Sequence, residues 1–378
     1  MKALSAATQI PDPYRAGADL GDALKALQPE VVFLFSTIDL ANGPLLLEGL
    51  RDALELPGCL IIGNSGDGLY TPDGCSEFGA SALGLNSGGA VRWQLSVGRR
   101  VTADPLAATR EAMRAQQGAA LAFLVSDFHA DASLVESVLE HEVDFPVIGG
   151  FAADDQQWRQ CALYANGEVL TDCVVALGAH GPIRFSIHVE NTISPVGQPG
   201  TVEAAAGTRI DTISGIPAMQ FIERETGKPV LRSDRGITSL TVIDSGPRPL
   251  KRLRAIAQDI GQSKQSLHLY GGIRPGQQVQ VCMANPEQIV REVDRIAAEA
   301  AAVGEWQPAA ALIVSCAGRK SLLGAAVHQE IKAVNRRLPG LPLAGFPSLG
   351  EIAPLRQGRG YSANLFHNMT YVLLLIGS

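Results

Sequence analysis

The stretch VVFLFS at residues 31–36 is a short apolar run that ends in a small polar residue, and the chain carries two similar runs. These are LAFLVS at 121–126 and ALIVS at 311–315. Short continuous apolar runs that are rich in β-branched or aromatic residues predict buried strands. Three such strands in one chain predict an internal repeat, and the repeat sets the fold class before any single motif does.

The segments that follow these three strands are also alike. Apolar residues at helical spacing predict a helix after each strand, and an apolar run into glycine predicts a second strand after each helix. Each unit is therefore predicted to be β-α-β and to end in a glycine-rich turn. We place the helices at about 43–55, 131–141 and 322–338, and the second strands at 60–63, 146–149 and 342–345.

Alternating apolar segments follow each glycine-rich turn and predict antiparallel strands. Asn166-Gly167 stands between two of these segments and is a hairpin signal. We therefore expect an α/β fold of repeated β-α-β units with appended antiparallel strands, mixed sheets and two domains. The length of 378 residues suits two domains, and the region from about 184 to 310 interrupts the repeat. We place the domains at 1–208 and 209–378.

The composition excludes several classes of protein. A hydrophobic fraction of 46% and a net charge of −7 exclude a disordered chain and give no electrostatic footprint for nucleic acid or anionic lipid. No apolar run reaches the roughly 18–20 residues that span a bilayer, and the N-terminal segment lacks the apolar core of a signal peptide. The six cysteines show no CxxC pairing. We expect a cytoplasmic protein with reduced thiols.

The signatures of common enzymes are missing from the sequence. There is no Walker loop, no HExxH, no GxSxG and no zinc spacing of paired cysteines. The sequence therefore leans away from an enzyme and predicts no metal site. The remaining candidates are the carboxyl ends of the strands, where open α/β sheets bind their ligands.

Two charged residues follow neighbouring strand ends in the third repeat. Arg319 comes just after one strand and Glu351 just after the next, so parallel pairing would bring both to one edge of the sheet. An arginine can bind a carboxylate and a glutamate can accept from an amine, so the pair suits a zwitterion such as an amino acid. The alternative is that the two side chains pair with each other or are solvated. The same pocket would be lined by Ser315, Cys316, Gly345 and Ser348, and Asn64 and Ser65 of the first repeat are further candidates for binding the ligand.

Single residues support two further hypotheses. Cys316 could be a nucleophile, because the neighbouring Arg319 would lower the pKa of its thiol, or it could be a small buried residue that closes a strand. His367 and His188 lie on strand-like segments. Either histidine could bind haem iron, or it could be a hydrogen-bonded residue of the core.

The sequence resembles the FIST proteins, which combine a FIST N and a FIST C domain in bacterial signal transduction. The resemblance runs from about residue 28 to the end of the chain, and the most specific part is the pairing of two motifs of the C domain at their spacing. Asn64 stands where the family often has cysteine. The matching segments are IGNS at 62–65, GGFAADD at 149–155, PVGQP at 195–199, SGIPA at 214–218, SCAGR at 315–319 and GFPSLGEI at 345–352.

The resemblance implies a sensory module that binds a small ligand such as an amino acid. Some members look like haem-dependent nitric-oxide sensors, so it also implies haem as a possible cofactor. A signalling partner is implied too, usually a histidine kinase or a cyclic-dinucleotide enzyme. We find no output domain in this sequence and expect the signal to pass in trans to a separate protein.

Overall fold

The first half of the chain forms two β-α-β units, and each is preceded by a strand and a helix. The computed structural model describes residues 1–190, 193–229, 237–243, 251–257, 265–302, 306–358 and 360–377. In chain order the elements of this half are β1 (Lys2–Thr8), α1 (Pro13–Lys25), β2 (Val31–Ser36), a 3-10 helix (Ile38–Ala41), α2 (Leu45–Leu54), β3 (Leu60–Ser65), β4 (Leu69–Thr71), β5 (Gly74–Ser76), β6 (Ala80–Asn86), β7 (Arg92–Arg99), α3 (Pro105–Arg114), β8 (Leu121–Ser126), α4 (Ala132–Glu142), β9 (Val147–Phe151), β10 (Leu163–Ala165), β11 (Glu168–Leu170) and β12 (Cys173–His180).

The second half contains the third β-α-β unit, and an additional group of strands precedes it. The elements of this half are β13 (Arg184–Glu190), β14 (Ser194–Ala206), β15 (Arg209–Ile213), β16 (Ile216–Pro217), α5 (Ala218–Thr226), β17 (Thr238–Ile243), β18 (Lys251–Ala255), β19 (Leu267–His268), β20 (Gln278–Met283), α6 (Pro286–Ala301), β21 (Ala310–Cys316), α7 (Ala317–Leu323), a 3-10 helix (Gly324–Val327), α8 (His328–Arg337), β22 (Leu343–Ser348), β23 (Glu351–Gln357), β24 (Gly360–His367) and β25 (Tyr371–Gly377).

Three six-stranded sheets share one order of equivalent strands. The orders are β1-β6-β2-β3-β10-β11, β7-β12-β8-β9-β23-β24 and β13-β25-β21-β22-β4-β5. In each sheet the two central strands of a β-α-β unit are parallel, and their outer neighbours run antiparallel to them. The α/β fold class with repeated β-α-β units, appended antiparallel strands and mixed sheets is therefore confirmed.

In each of the three six-stranded sheets, the outer hairpin comes from a different repeat than the parallel strand with which it pairs. The hairpin β4–β5 follows β3 in the chain but pairs with β22 of the third sheet. In the same way β10–β11 follows β9 and pairs with β3, and β23–β24 follows β22 and pairs with β9. The three repeats thus exchange hairpins in a closed cycle, and no repeat completes a sheet from its own residues. We call these three sheets and their helices the three-sheet body.

The central strands β2, β8 and β21 of the three-sheet body are buried on both faces, which explains why they are continuously apolar. Phe33 and Phe35 of β2 point into a core shared by all three sheets. There Phe33 meets Phe123 edge-on at 5.2 Å between ring centroids, and Phe35 stacks on Phe346 at 5.1 Å. The opposite faces pack against the helix pairs α1–α2, α3–α4 and α6–α8. Every helix in the described ranges is too short or too polar to span a lipid bilayer.

A seven-stranded sheet interrupts the third repeat between β13 and α6. Its strand order is β16-β15-β14-β20-β17-β18, with β19 paired to β15, and α5 packs on it to form a separate core. We call it the inserted sheet. A buried ion-pair group holds it to the three-sheet body, because Glu136 of α4 accepts from both Arg252 and Arg254 of β18. The domain boundary that we place between 208 and 209 falls in the turn between β14 and β15, and it stays a prediction.

One glycine recurs at the same place in the second parallel strand of each repeat. A side chain at this position would collide with the main chain of the neighbouring parallel strand, because the two backbones approach closely there. A Cβ built on Gly63 would lie 1.7 Å from the carbonyl oxygen of Leu34, one on Gly149 1.8 Å from that of Leu124, and one on Gly345 1.9 Å from that of Ile313.

The recurrent glycine yields a stability prediction. Gly63→Ala forces β2 and β3 apart, and we expect it to lower the free energy of unfolding by about 3 kcal/mol, as overpacking of a closed core does. Urea denaturation followed by far-UV circular dichroism measures the change. Gly58→Ala is the matched control, since nothing lies within 4 Å of its Cβ position. If the two variants were equally stable, the contact between β2 and β3 would be able to relax around an added methyl group, and the prediction would be wrong.

Candidate functional site

A cavity of about 110 Å³ lies at the carboxyl end of β21, between the three-sheet body and the inserted sheet. Carboxyl ends of parallel strands are the usual ligand sites of α/β sheets, so this cavity occupies the position that the sequence favours. Five segments build its walls: the loop after β9, the strand β18 with the segment before β20, the turn from β21 into α7, the turn between β22 and β23, and the turn before β25. The lining residues are Gln156, Trp158, Ala255, Ile256, Tyr270, Cys316, Ala317, Gly318, Ser321, Leu349, Asn368 and Met369.

The loop after β9 supplies an aromatic wall and is held in an unusual backbone conformation. Gln156 and Trp158 have positive φ angles of 66° and 58°, which residues other than glycine rarely adopt. The buried carboxylate of Asp154 stabilises this geometry, because it accepts from the backbone N–H groups of Trp158 at 3.0 Å and Arg159 at 2.8 Å. The Trp158 ring then stacks on Tyr270 with a centroid distance of 5.3 Å and an interplanar angle of 5°.

Ser65 of the first repeat anchors both ends of this loop. Its hydroxyl donates to the Ala153 carbonyl oxygen at 2.7 Å and accepts from the Ala162 N–H at 3.0 Å. Asn64 is buried beside it and donates from Nδ2 to the Ser65 carbonyl oxygen at 2.8 Å. Neither residue lines the cavity, so the structure gives them a supporting place behind the loop, and a direct contact with a ligand stays a prediction.

Arg319 is completely buried and does not line the cavity. Its Nε donates to Glu330 Oε1 at 3.0 Å, and Nη2 lies 2.9 Å from the same oxygen. Burial alone would lower the pKa of Arg319, but the Glu330 carboxylate raises that pKa above its ordinary value. The guanidinium is therefore a charged group that already holds a carboxylate of the chain itself.

Glu330 is the functional partner that the sequence analysis missed. It also accepts from Tyr70 of the first repeat's hairpin at 2.9 Å and from Ser315 at 3.1 Å. The sequence does contain a signal for it. Glu330 lies three residues after Val327 and four before Val334, on the apolar face of α8, and a carboxylate on such a face needs a buried partner.

Glu351 is also completely buried and does not line the cavity. The Ser348 hydroxyl donates to its Oε1 at 2.5 Å, and the Thr370 N–H donates to Oε2 at 3.2 Å. Burial nevertheless raises the pKa of Glu351 to about 8. Its carboxyl is therefore mostly protonated at neutral pH. We predicted that Arg319 and Glu351 open into a shared hollow, and the structure places both behind its wall instead, so their binding of a ligand stays a prediction.

Cys316 is the one member of this group that reaches the cavity. It ends β21, precedes α7 and is 7% exposed. Burial, and secondarily the nearby Glu351, raises the pKa of its thiol far above the ordinary range, although the N–H groups of Gly318 and Arg319 lower it. The pKa of this thiol is therefore raised and not lowered as expected, because burial outweighs the groups that lower it. At neutral pH the sulfur is a thiol and not a thiolate nucleophile.

Gly345 and the hydroxyls of Ser315 and Ser348 complete the predicted cluster without lining the cavity. Gly345 permits the close approach of β22 to β21, and the two serines donate to Glu330 and Glu351 respectively. The structure therefore brings the predicted residues of the third repeat together. We call the buried polar side chains next to Cys316 the buried polar layer; they are Ser315, Arg319, Glu330, Ser348 and Glu351.

The two candidate haem ligands lie inside the sheets. His367 is fully buried in β24, and its Nε2 lies 3.0 Å from the Ala353 carbonyl oxygen; His188 is buried in β13, with Nε2 3.1 Å from Ser186 Oγ. Burial lowers the pKa of each imidazole to about 4, so both are neutral. Among the described residues, neither histidine lines the cavity, which is much smaller than a porphyrin. The residues present do not fit haem.

Comparisons with known proteins place the chain in a family. The FIST N domain model matches residues 30–216 and the FIST C domain model matches 220–354, so the chain belongs to the FIST family. FIST domains are associated with signal transduction and the sensing of small ligands.

Curated relatives share about a quarter of their aligned residues with the chain. The uncharacterized protein Mb0898c of Mycobacterium bovis is 27% identical over 251 residues, which are 63% of each chain. The uncharacterized protein MJ1623 of Methanocaldococcus jannaschii is 24% identical over 56% of this chain and 44% of its own. The chain thus spans less than two thirds of these relatives. A solved structure of PurLQS from Thermotoga maritima covers the whole chain at 9% identity, but its TM-score of 0.22 carries no argument.

The ion pair between Arg319 and Glu330 yields a second prediction. Glu330→Gln leaves a buried guanidinium without its counter-charge, and we expect the free energy of unfolding to fall by about 3–5 kcal/mol. Glu287→Gln is the control, because that side chain is exposed and its ion pair with Arg291 is 4.0 Å long. Urea denaturation measures both. If Arg319→Met with Glu330→Gln is no more stable than Glu330→Gln alone, the unpaired charge is not the cause.

The raised pKa of Glu351 yields a prediction about pH. The folded protein keeps this proton up to about pH 8, whereas the unfolded chain releases it near pH 4.3. Between these values the folded state binds more protons, so the free energy of unfolding falls as pH rises and levels off above about 8. We expect Glu351→Gln to flatten this slope by up to about 1 kcal/mol per pH unit between pH 7 and 8.

Urea denaturation at several pH values from 6.5 to 8.5 measures the slope. Glutamine does not titrate, and its oxygen can accept from the Thr370 N–H while its amide N–H donates to the Ser348 hydroxyl. Glu287→Gln should leave the slope unchanged, because Glu287 is exposed. Parallel curves for wild type and Glu351→Gln would contradict the assignment of this proton.

Proposed function

We propose that this protein is a cytoplasmic sensory protein that binds a small molecule in the cavity at Cys316 and signals through a separate partner. The observation that carries the proposal is the position of the cavity. Residues of the three-sheet body, such as Trp158 and Cys316, form one side, and residues of the inserted sheet, such as Ile256, form the other. A ligand in the cavity contacts both parts and so can change how they fit together.

The contacts around the cavity favour such a coupling. The Trp158–Tyr270 stack joins the loop after β9 to the inserted sheet, and a small apolar cluster joins Leu253 to Cys316 and Met369. A ligand shifts a conformational equilibrium only when it contacts the two states differently. These contacts are where the two parts meet, so occupancy of the cavity acts directly on their packing.

The proposed partner is taken from the family resemblance, and the proposed ligand is taken from the residues at the strand ends. We propose a histidine kinase or a cyclic-dinucleotide enzyme as the separate signalling protein. For the ligand, an amino acid held by Arg319 and Glu351 is the candidate from the sequence, and it requires the ion pair of Arg319 with Glu330 to open. Haem sensing and catalysis by Cys316 are less well supported, because the histidines are enclosed in the sheets and the thiol is protonated.

A thermal-shift screen of small molecules, with free amino acids and carboxylic acids among them, tests the proposal. We expect at least one compound to raise the melting temperature of the wild type by several degrees. Gly318→Ala should abolish the shift, because its Cβ would lie 2.7 Å from Met369 Sδ and would crowd the cavity. Ser321→Phe at the exposed mouth is a second blocking variant, and Gly58→Ala is the control.

Hydrogen exchange then tests the signalling step. Bound ligand should slow exchange in β18 of the inserted sheet as well as around Cys316. If no compound distinguishes the wild type from both blocking variants, the cavity is not a ligand site. If a compound binds but protects only the three-sheet body, the proposed coupling is wrong.

A further inference from the structure

We infer that the ligand of this cavity is a small neutral molecule with an apolar or aromatic frame and one hydrogen-bonding group, and not an ion or a zwitterion. The inference rests on the proposed function and names the class of its ligand. It departs from the amino acid that the sequence suggests, and it is argued from the lining of the cavity.

The first argument is charge. Among the described residues that line the cavity, none carries a charged side chain. The charged groups nearest in sequence are already bound: Arg319 to Glu330, and Lys320 to Asp67 at 3.1 Å. The carboxyl of Glu351 holds its proton at neutral pH. A charged ligand would lose water here and meet no free counter-ion, which is costly in a buried site.

The second argument is the shape and character of the walls. The ring of Trp158, the ring of Tyr270 and the side chains of Ile256, Leu349 and Met369 supply most of the surface. Aromatic rings and a thioether favour contact with another apolar or aromatic group. The volume of about 110 Å³ is somewhat below that of a cavity known to hold benzene, so the cavity itself encloses about six non-hydrogen atoms at most. The polar group of a larger ligand would lie in the open mouth beside the exposed Ser321.

The third argument concerns the hydrogen-bonding groups that the side-chain amides of Asn368 and Gln156 offer to a ligand. The Asn368 Oδ1 accepts from the Ala255 N–H at 3.1 Å, which leaves the Nδ2–H donors of this side chain for a ligand. The Gln156 Nε2 donates to Asp67 Oδ2 at 2.8 Å, which leaves its Oε1 to act as an acceptor. One donor and one acceptor match a hydroxyl group or a primary amide, because each of these both donates and accepts.

The test compares probes that share one frame and differ in charge. Benzyl alcohol and benzamide are neutral, whereas benzoate, benzylammonium, phenylalanine and alanine are charged or zwitterionic at pH 7. Binding to the purified full-length chain is measured by the shift in melting temperature and by the change in Trp158 fluorescence, with Trp158→Phe to identify that signal. We expect the neutral probes to bind at least tenfold more tightly than benzoate and benzylammonium.

Variants show whether the binding belongs to this cavity. Gly318→Ala and Ser321→Phe should weaken the neutral probes at least tenfold, and Gly58→Ala should not. Leu349→Lys places a charge in the lining, and we expect it to weaken benzyl alcohol more than benzoate. Neutral probes that bind equally to wild type and both blocking variants would reflect non-specific partition and would overturn the inference.

The outcomes separate the inference from the function on which it rests. If amino acids or benzoate bind in a way that the blocking variants abolish and the neutral probes do not bind, the ligand class is wrong and the cavity is still a sensory site. If no probe binds and the wider screen also finds no compound, both the ligand class and the proposed function are wrong.

Discussion

The exchange of hairpins among the three repeats is the constraint on which the rest of the structure depends. Strands β3, β9 and β22 would each expose an edge of unpaired N–H and C=O groups if their repeat folded alone. Each edge is covered by a hairpin from another repeat, so backbone pairing in one sheet requires the other two. The closed cycle also brings the carboxyl ends of these strands together with residues from distant parts of the chain. Tyr70 thereby reaches Glu330, although 260 residues separate them.

The three repeats share a scaffold but not its chemistry. In the first sheet Leu163 lies opposite Asn64, the residue after the recurrent glycine Gly63. In the second sheet Glu351 occupies the equivalent position, opposite Gly150, the residue after Gly149. An apolar side chain in one repeat is therefore an acid in another. Ser36 pairs with Tyr164 at 2.5 Å in the first sheet, whereas Ser315 joins Tyr70 at a buried carboxylate in the third. The buried Arg319–Glu330 ion pair next to the cavity belongs to the third repeat, and the first repeat contributes Asp67 to a second pair with Lys320.

The repeat and its elements could be predicted from the sequence because they follow from short-range patterns. Three apolar runs, three helical spacings and three glycines identify the β-α-β units. The exchange of hairpins could not be predicted, because the hairpin β4–β5 carries the same local pattern whether it pairs with β3 or with β22. The inserted sheet was seen only as a region that breaks the repeat.

The site shows the same limit in its side chains. Parallel pairing of β21 and β22 correctly brought Arg319 and Glu351 to one region, since strand order follows from the repeat. The sequence did not predict that Arg319 pairs with Glu330 and not with Glu351, because Glu330 lies on α8, whose position depends on the packing of the helix. The aromatic wall could not be predicted either, because Trp158 and Tyr270 are 112 positions apart and meet only where the inserted sheet packs on the body.

The buried polar layer has a consequence for how the cavity works. Beside Cys316, Arg319 is paired with Glu330 and Ser348 is hydrogen-bonded to Glu351, and breaking either buried pair costs free energy. The opposite wall carries the Trp158–Tyr270 stack, and hydrogen bonds between the uncharged backbone of its loop and the side chains of Asp154 and Ser65 hold it in place. A ligand therefore meets a fixed floor and a wall that belongs to two parts of the molecule. Any movement that binding causes must then appear in the contact between the loop and the inserted sheet, because the floor cannot yield without unpairing a charge.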